Sequence, residues 1–116
     1  MIGQLEDLKE RIRRFADERD WDQFHTPKNL AMALIVEAAE LVEHFQWLTS
    51  EESQSMTAVK KAEVQAELAD ILIYLVRIAD KLEIDLHNAA LEKLQRNAEK
   101  YPAGKVRGKS KKYSEY

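Results

Sequence analysis

Residues 30–48, LAMALIVEAAELVEHFQWL, decide the fold. Steps of three and four through them give Leu30, Leu34, Glu37, Leu41, His44 and Leu48, the spacing of one helical face. That face is an apolar seam except at Glu37 and His44. Glu40 stands beside Glu37, one turn on. Just upstream, Thr26 is a candidate N-cap and Pro27 occupies the first helical position. The spacing therefore predicts a helix from about Thr26 to Trp47.

Working outward, glycine and proline are sparse: Gly3, Gly104, Gly108, Pro27 and Pro102. The long stretches between them favour helices. Leu5, Leu8, Ile12 and Phe15 give a first helix, about Leu5 to Arg19, with one apolar stripe. A third runs from about Ala58 to Leu82. A fourth starts after Asp85, a good N-cap, and stops before Pro102. Between the second and third lies a polar connection, LTSEESQSMT (residues 48–57). The expected fold is all-α: a four-helix bundle over residues 1–102, followed by a basic tail, residues 103–116. The third helix is apolar nearly all round between Ile71 and Val76. Such a helix is central in its domain or covered by a partner subunit.

The chain has 116 residues, 45% hydrophobic and 34% charged, which suits one soluble globular domain. Its longest apolar run, Ile71 to Val76, is far too short to span a bilayer, so no membrane association is expected. The charge-rich start MIGQLEDLKER does not read as a secretory signal, and the expected compartment is the cytoplasm. There are no cysteines, hence no disulfide framework and no thiolate metal site. A net charge of −3 argues against binding to nucleic-acid polymers. The charge is uneven, however. The segment KLQRNAEKYPAGKVRGKSKKY from Lys93 onward is cationic and the middle of the chain is acidic. A phosphate-bearing small ligand could meet the acids through a metal and the bases directly.

The acids carry the chemistry. Glu37-x-x-Glu40 is followed, after 26 residues, by Glu67-x-x-Asp70, and Asp70 directly precedes the run ILIYLV. Two helices packed antiparallel would set these pairs face to face as four carboxylates. Burying ionised carboxylates costs several kcal/mol each. Protonation or a divalent cation relieves that cost. An all-oxygen donor set suits a hard cation, Mg²⁺ in particular, with Mn²⁺ as a substitute. A lone Glu-x-x-Glu reads as an ordinary helix surface. Two matched pairs, one in a seam and one against a buried run, favour the metal. A di-iron bundle would need Glu-x-x-His on two helices, and His44 is a single copy off that spacing.

With these residues the sequence resembles the MazG-like all-α nucleoside triphosphate pyrophosphohydrolases, in particular the dCTP pyrophosphatase branch. The match is carried by ERDWDQFHTPKNL (residues 18–30), EAAELVEHFQW (37–47), ELADILIYLV (67–76), the Lys93/Asn97 pair before Tyr101-Pro102, and the terminal KKYSE, covering about nine-tenths of the chain. The resemblance implies hydrolysis of a (d)NTP, dCTP or a modified dCTP first, to the monophosphate and pyrophosphate. It implies nucleotide-pool house-cleaning by a homo-oligomer, dimer or tetramer. Glu37, Glu40, Glu67 and Asp70 would then hold Mg²⁺ against the triphosphate as metal ligands and catalytic residues, with Glu37 the candidate to orient the attacking water.

The same resemblance implies substrate contacts at Trp21, His25, Trp47, Tyr74, Lys93 and Asn97. Taken alone, the tryptophans read as core residues, and His25 reads equally well as satisfying backbone at its turn. Lys93 and Asn97 alone read as a bundle-edge pair. Lys100, Arg107, Lys109, Lys111 and Lys112 could close over a triphosphate, although a basic tail is usually solvated. One departure stands out: animal members of the branch carry a histidine in the first helix where this chain has Ile12. Exact base preference is therefore not carried over. Two other readings remain open here, the same chemistry on dUTP or another non-standard dNTP, and a non-catalytic helical interaction module.

Overall fold

The computed structural model describes residues 3–110, and those residues form helices with no strand. In chain order they are α1 (Gln4–Glu18), a 3₁₀ turn (Asp22–Phe24), α2 (Pro27–Glu43), α3 (Ser50–Ser53), α4 (Ala58–Lys81), α5 (Leu86–Lys100) and α6 (Ala103–Val106). The all-α class and the four long helices are as the sequence predicts. Two compact units are present, Met1–Ile84 and Asp85–Tyr116. Lys111 and Lys112 of the basic tail lie outside the described residues.

In the first unit α4 packs along α2 and, less extensively, against α1. Ile12, Ala16, Leu30, Val64, Val76 and Ala79 form its buried apolar core. Ile12 thus belongs to the packing of α1 onto α4. The expected caps are present. The Thr26 hydroxyl accepts from the Asn29 N–H at 3.2 Å, and Pro27 opens α2 without an orphaned donor. Thr57 caps α4 in the same way through the Lys60 N–H, at 3.2 Å.

Two details differ from the sequence reading. α2 ends at Glu43 rather than near Trp47, because its ladder tightens: the N–H of His44 donates to Leu41 and that of Phe45 to Val42. The polar connection holds a single helical turn, α3. Its capping box has the Thr49 hydroxyl accepting from the Glu52 N–H at 3.1 Å and the Glu52 carboxylate accepting from the Thr49 N–H at 2.9 Å.

α1 and α4 finish alike. The N–H of Trp21 donates to the Ala16 carbonyl at 2.9 Å, and that of Ile84 to Ala79 at 2.8 Å, closing each helix in a Schellman turn. The residues that turn the chain are Asp20 (φ 53°) and Glu83 (φ 56°), both left-handed without being glycine. These turns aim Trp21 and Ile84 back onto the helices they leave. Among the described residues the run from Ile71 to Val76 is only partly enclosed: Val76 is buried, whereas Leu72, Ile73 and Leu75 are exposed.

The second unit holds α5, capped by Asp85, whose carboxylate accepts from the Asn88 N–H at 3.1 Å, and the short α6. Among the described residues no helix is long and apolar enough to cross a membrane.

Among the described residues Glu83 makes no side-chain hydrogen bond or ion pair that its removal would break, whereas Asp20 accepts from the Gln23 amide. Glu83→Gly is therefore expected to stabilise the fold by about 0.5–1 kcal/mol, by relieving left-handed strain. Urea unfolding of both proteins checks this, and an unchanged or lower midpoint would contradict it.

Candidate metal centre

α2 and α4 are antiparallel. Glu37 meets Glu67 and Asp70, and His44, two turns further along α2, meets Glu63, which precedes them on α4. One carboxylate oxygen each from Glu37, Glu67 and Asp70 lies within 4.8 Å of the others. Glu37 and Glu67 are half-buried and Asp70 faces solvent. Glu40 is outside that trio of oxygens, but its carboxylate helps hold the Glu37 proton. The four acids are thus brought together unequally, three converging and one flanking.

Burial, and then the hydrogen bonds that protonated Glu37 donates to Glu67 and Glu40 and the charges of Glu40 and Asp70, push the Glu37 carboxyl up from 4.5 to about 7. The Oε2 atoms of Glu37 and Glu67 are buried, and neither has a hydrogen-bond partner among the described residues. Native proteins rarely leave such atoms unpaired. Orphaned oxygens on converging carboxylates are what a hard divalent cation requires, so the residues present fit one. His44 borders the cluster, with Nε2 3.9 Å from Glu67 Oε1 and Nδ1 3.7 Å from Glu63 Oε2.

The other candidate residues fall in three places. Tyr74 is half-buried on α4, one turn after Asp70, and its hydroxyl makes no hydrogen bond among the described residues. Trp21 and His25 flank the 3₁₀ turn, with ring centroids 6.4 Å apart and the rings edge to face. Trp21 also packs edge-on against Phe15 at 5.6 Å. Neither tryptophan joins the core that side-chain size alone suggests: Trp21 is 43% and Trp47 85% exposed. Lys93 and Asn97 lie one turn apart on α5 in the second unit, with Asn97 half-buried.

A second charged cluster escaped the sequence reading. Arg77, 2% exposed, donates from one terminal nitrogen to Asp22 at 2.7 Å and from the other to Asp80 at 3.5 Å. Its Nε donates to His25 Nδ1 at 3.1 Å. Arg13 of α1 pairs through two nitrogens with Asp80, and Lys81 donates to Asp22 at 2.8 Å. Arg13 holds the Asp80 carboxyl below the usual range, and Lys81, with Arg77, does the same for Asp22. The missed signal was an arginine embedded in the apolar run ILIYLVRIA, with acids at Asp80 and Asp22.

Known proteins resemble this chain in sequence and in fold. The model of the MazG-like family matches residues 32–116. The chain is 46% identical over 113 residues to dCTP pyrophosphatase 1 of Homo sapiens, a match covering 96% of this chain and 66% of that protein. It is 42% identical over 113 residues to dCTP pyrophosphatase 1 of Rattus norvegicus, again covering 96% of this chain and 66% of the relative. The chain thus spans just under two thirds of these relatives' length. A solved pyrophosphatase from Archaeoglobus fulgidus superposes with a TM-score of 0.82 at 42% identity, covering 88% of this chain and 95% of that one.

The raised Glu37 carboxyl has a consequence for stability without metal. The folded state holds this proton up to about pH 7, and the unfolded chain releases it near its ordinary 4.5. The folded state is therefore favoured at low pH and loses that advantage as pH rises from 4.5 towards 7. In EDTA, Tm is expected to fall across this interval, and the fall should be smaller in Glu37→Gln. Thermal scans of both proteins against pH check this, and parallel profiles would refute it.

Proposed function

The chain belongs to the MazG-like family, and from that premise we propose that it is a Mg²⁺-dependent nucleoside triphosphate pyrophosphohydrolase. Its substrate is dCTP or a modified dCTP, and its products are the monophosphate and pyrophosphate. The observation that carries this reading is the convergence of Glu37, Glu67 and Asp70 oxygens within 4.8 Å, two of the three residues keeping a buried oxygen with no hydrogen-bond partner among the described residues. The names of the relatives above supply the base.

Glu37, Glu67 and Asp70 would hold Mg²⁺, for which Mn²⁺ can substitute. When bound, it neutralises charge on the phosphates. The rest is positioning, since hydrolysis of a phosphoanhydride asks the protein for little covalent chemistry. Glu40 flanks the trio without belonging to it. This leaves it better placed than Glu37 to orient a water and accept its proton. Glu37 instead holds its proton up to about pH 7. Trp21 and Trp47 offer aromatic faces outside the core for a base, with His25 beside Trp21. Tyr74 offers a hydroxyl one turn from Asp70. Lys93 and Asn97 are assigned to phosphate and sugar by family agreement alone.

The working form we propose is a homo-oligomer in the cytoplasmic nucleotide pool. Met32, Ile35 and Val36 on α2, and Leu68, Leu72 and Leu75 on α4, lie at helical spacing and are exposed, Ile35 by 62%. Apolar stripes of this extent suit a second copy. Light scattering on the purified protein should give a mass above 13.5 kDa, and a strict monomer would reject the assembly.

The deciding experiment is a side-by-side panel of dNTPs, dUTP and modified dCTPs with Mg²⁺, followed by pyrophosphate release. Release from dCTP or a modified dCTP, abolished by EDTA, is expected. Glu67→Gln and Asp70→Asn should each lower kcat by about 10²-fold or more while the proteins remain folded. A folded protein that releases pyrophosphate from no nucleotide would sink the enzyme reading.

A further inference from the structure

Arg77 is buried among apolar neighbours on α4, where an unpaired guanidinium would be costly. Two of its partners, Asp22 and Asp80, are carboxylates and explain its retention as an ion-pair hub. The third is not charged. Nε–H donates to His25 Nδ1 at 3.1 Å. A guanidinium has donors only and keeps its proton throughout the accessible pH range. The imidazole nitrogen facing it must therefore present a lone pair. If His25 is neutral, its one proton is then on Nε2, and a second proton could enter only by expelling Arg77.

The surroundings reinforce this. Burial and the neighbouring Arg77 charge hold His25 below the usual histidine range, and Lys81 adds in the same direction. Asp22 alone opposes them, and it is already paired with both cations. Trp21 meets the imidazole edge to face, with ring centroids 6.4 Å apart and 62° between the planes. Its backbone N–H is satisfied by the Asp22 carbonyl at 3.0 Å, so the turn that carries the ring is itself closed. Among the described residues, no hydrogen bond is made by His25 Nε2.

We propose that Arg77 is a positioning residue, which locks His25 as the neutral Nε2–H form so that the ring offers substrate one fixed donor and no charge. This deepens the nucleotide-hydrolase reading and rests on it for the identity of the ligand. Arg77 follows Asp70 by seven residues, two turns or ~10 Å along α4. The donor therefore stands at the base end of a nucleotide whose phosphates meet the acids. There an uncharged donor suits a neutral acceptor, such as the ring carbonyl or unprotonated ring nitrogen of a pyrimidine. It would be poorly matched to a ring that presents an N–H in that place, so the locked form favours cytosine-like over uracil-like edges at the ring nitrogen.

The test begins with the intact wild-type protein. Long-range ¹H–¹⁵N correlation of imidazole-labelled protein, with His25 assigned by loss of its signals in His25→Gln, should show a single proton on Nε2. That form should persist below about pH 6.5, where an ordinary histidine charges. A proton on Nδ1 at neutral pH, or ordinary titration, would overturn the proposal whatever the activity. In Arg77→Met the exclusive Nε2–H form should relax to the mixture of tautomers of a free imidazole, and the ring should titrate higher. KM for dCTP should rise about tenfold, roughly one hydrogen bond, with kcat within a few fold. His25→Gln, whose amide reproduces an Nε2-side donor, should keep KM closer to wild type than His25→Ala. Equal losses in those two variants would overturn the donor role. An absence of turnover by the wild-type enzyme would instead strike the hydrolase reading, and the tautomer measurement would still decide the lock.

Discussion

The seam between α2 and α4 is the constraint on which the first unit depends. It places carboxylates where helix packing would normally bury leucine. Glu37 sits in the apolar register of α2, and α4 brings Glu67 and Asp70 against it. Neither helix can slide by a turn without losing Leu30 and Val64 from the core or separating the acids. Packing and site geometry are thus one arrangement. The acids are held by the same contacts that hold the fold, and the repulsion among them is borne by Glu37, whose carboxyl stays protonated to about 7.

A second tie works at the far end of α4. Arg77 and Asp80 face both α1, through Arg13, and the turn carrying Asp22 and His25. The short segment between α1 and α2 would otherwise be held by its own turn bonds, by the Trp21–Phe15 ring contact and by the Asn29 amide on the Phe24 carbonyl. It is instead fixed onto α4 by charged groups, most of them partly exposed and individually weak. Arg77 is the exception, since it is enclosed. Its removal would leave Asp22 and Asp80 facing one another across the space it fills.

The sequence was most legible where periodicity and capping agree. Thr26-Pro27 and Asp85 marked helix starts that the structure retains, and Gly/Pro scarcity separated the four long helices. Glu37 could be singled out because it breaks an apolar stripe, and Asp70 because it abuts one. What could not be read was tertiary. Nothing local distinguishes Glu40 from the three converging acids, since the difference is a matter of where each carboxylate points. The end of α2 was placed too late because Phe45 and Trp47 continue the apolar pattern after the hydrogen-bond ladder has tightened. Trp21 and Trp47 look like core by size, and only the packing of α1 and the short turn α3 shows that they are not. Arg77 was overlooked because its partners lie 55 and 52 residues away, at Asp22 and His25.

The proton on Glu37 gives the cluster a chemical memory of its surroundings. A cation and a proton would compete for the same carboxylate, so filling the site would release acid into the medium. Its apparent affinity for metal would then rise with alkalinity until the carboxyl is bare, and level off beyond that. In a calorimeter the heat of loading would change with the buffer chosen, because the buffer takes up what Glu37 gives away. A carboxyl displaced into an apolar seam would thereby make a cation's hold on this cluster a function of ambient pH, a dependence set by packing.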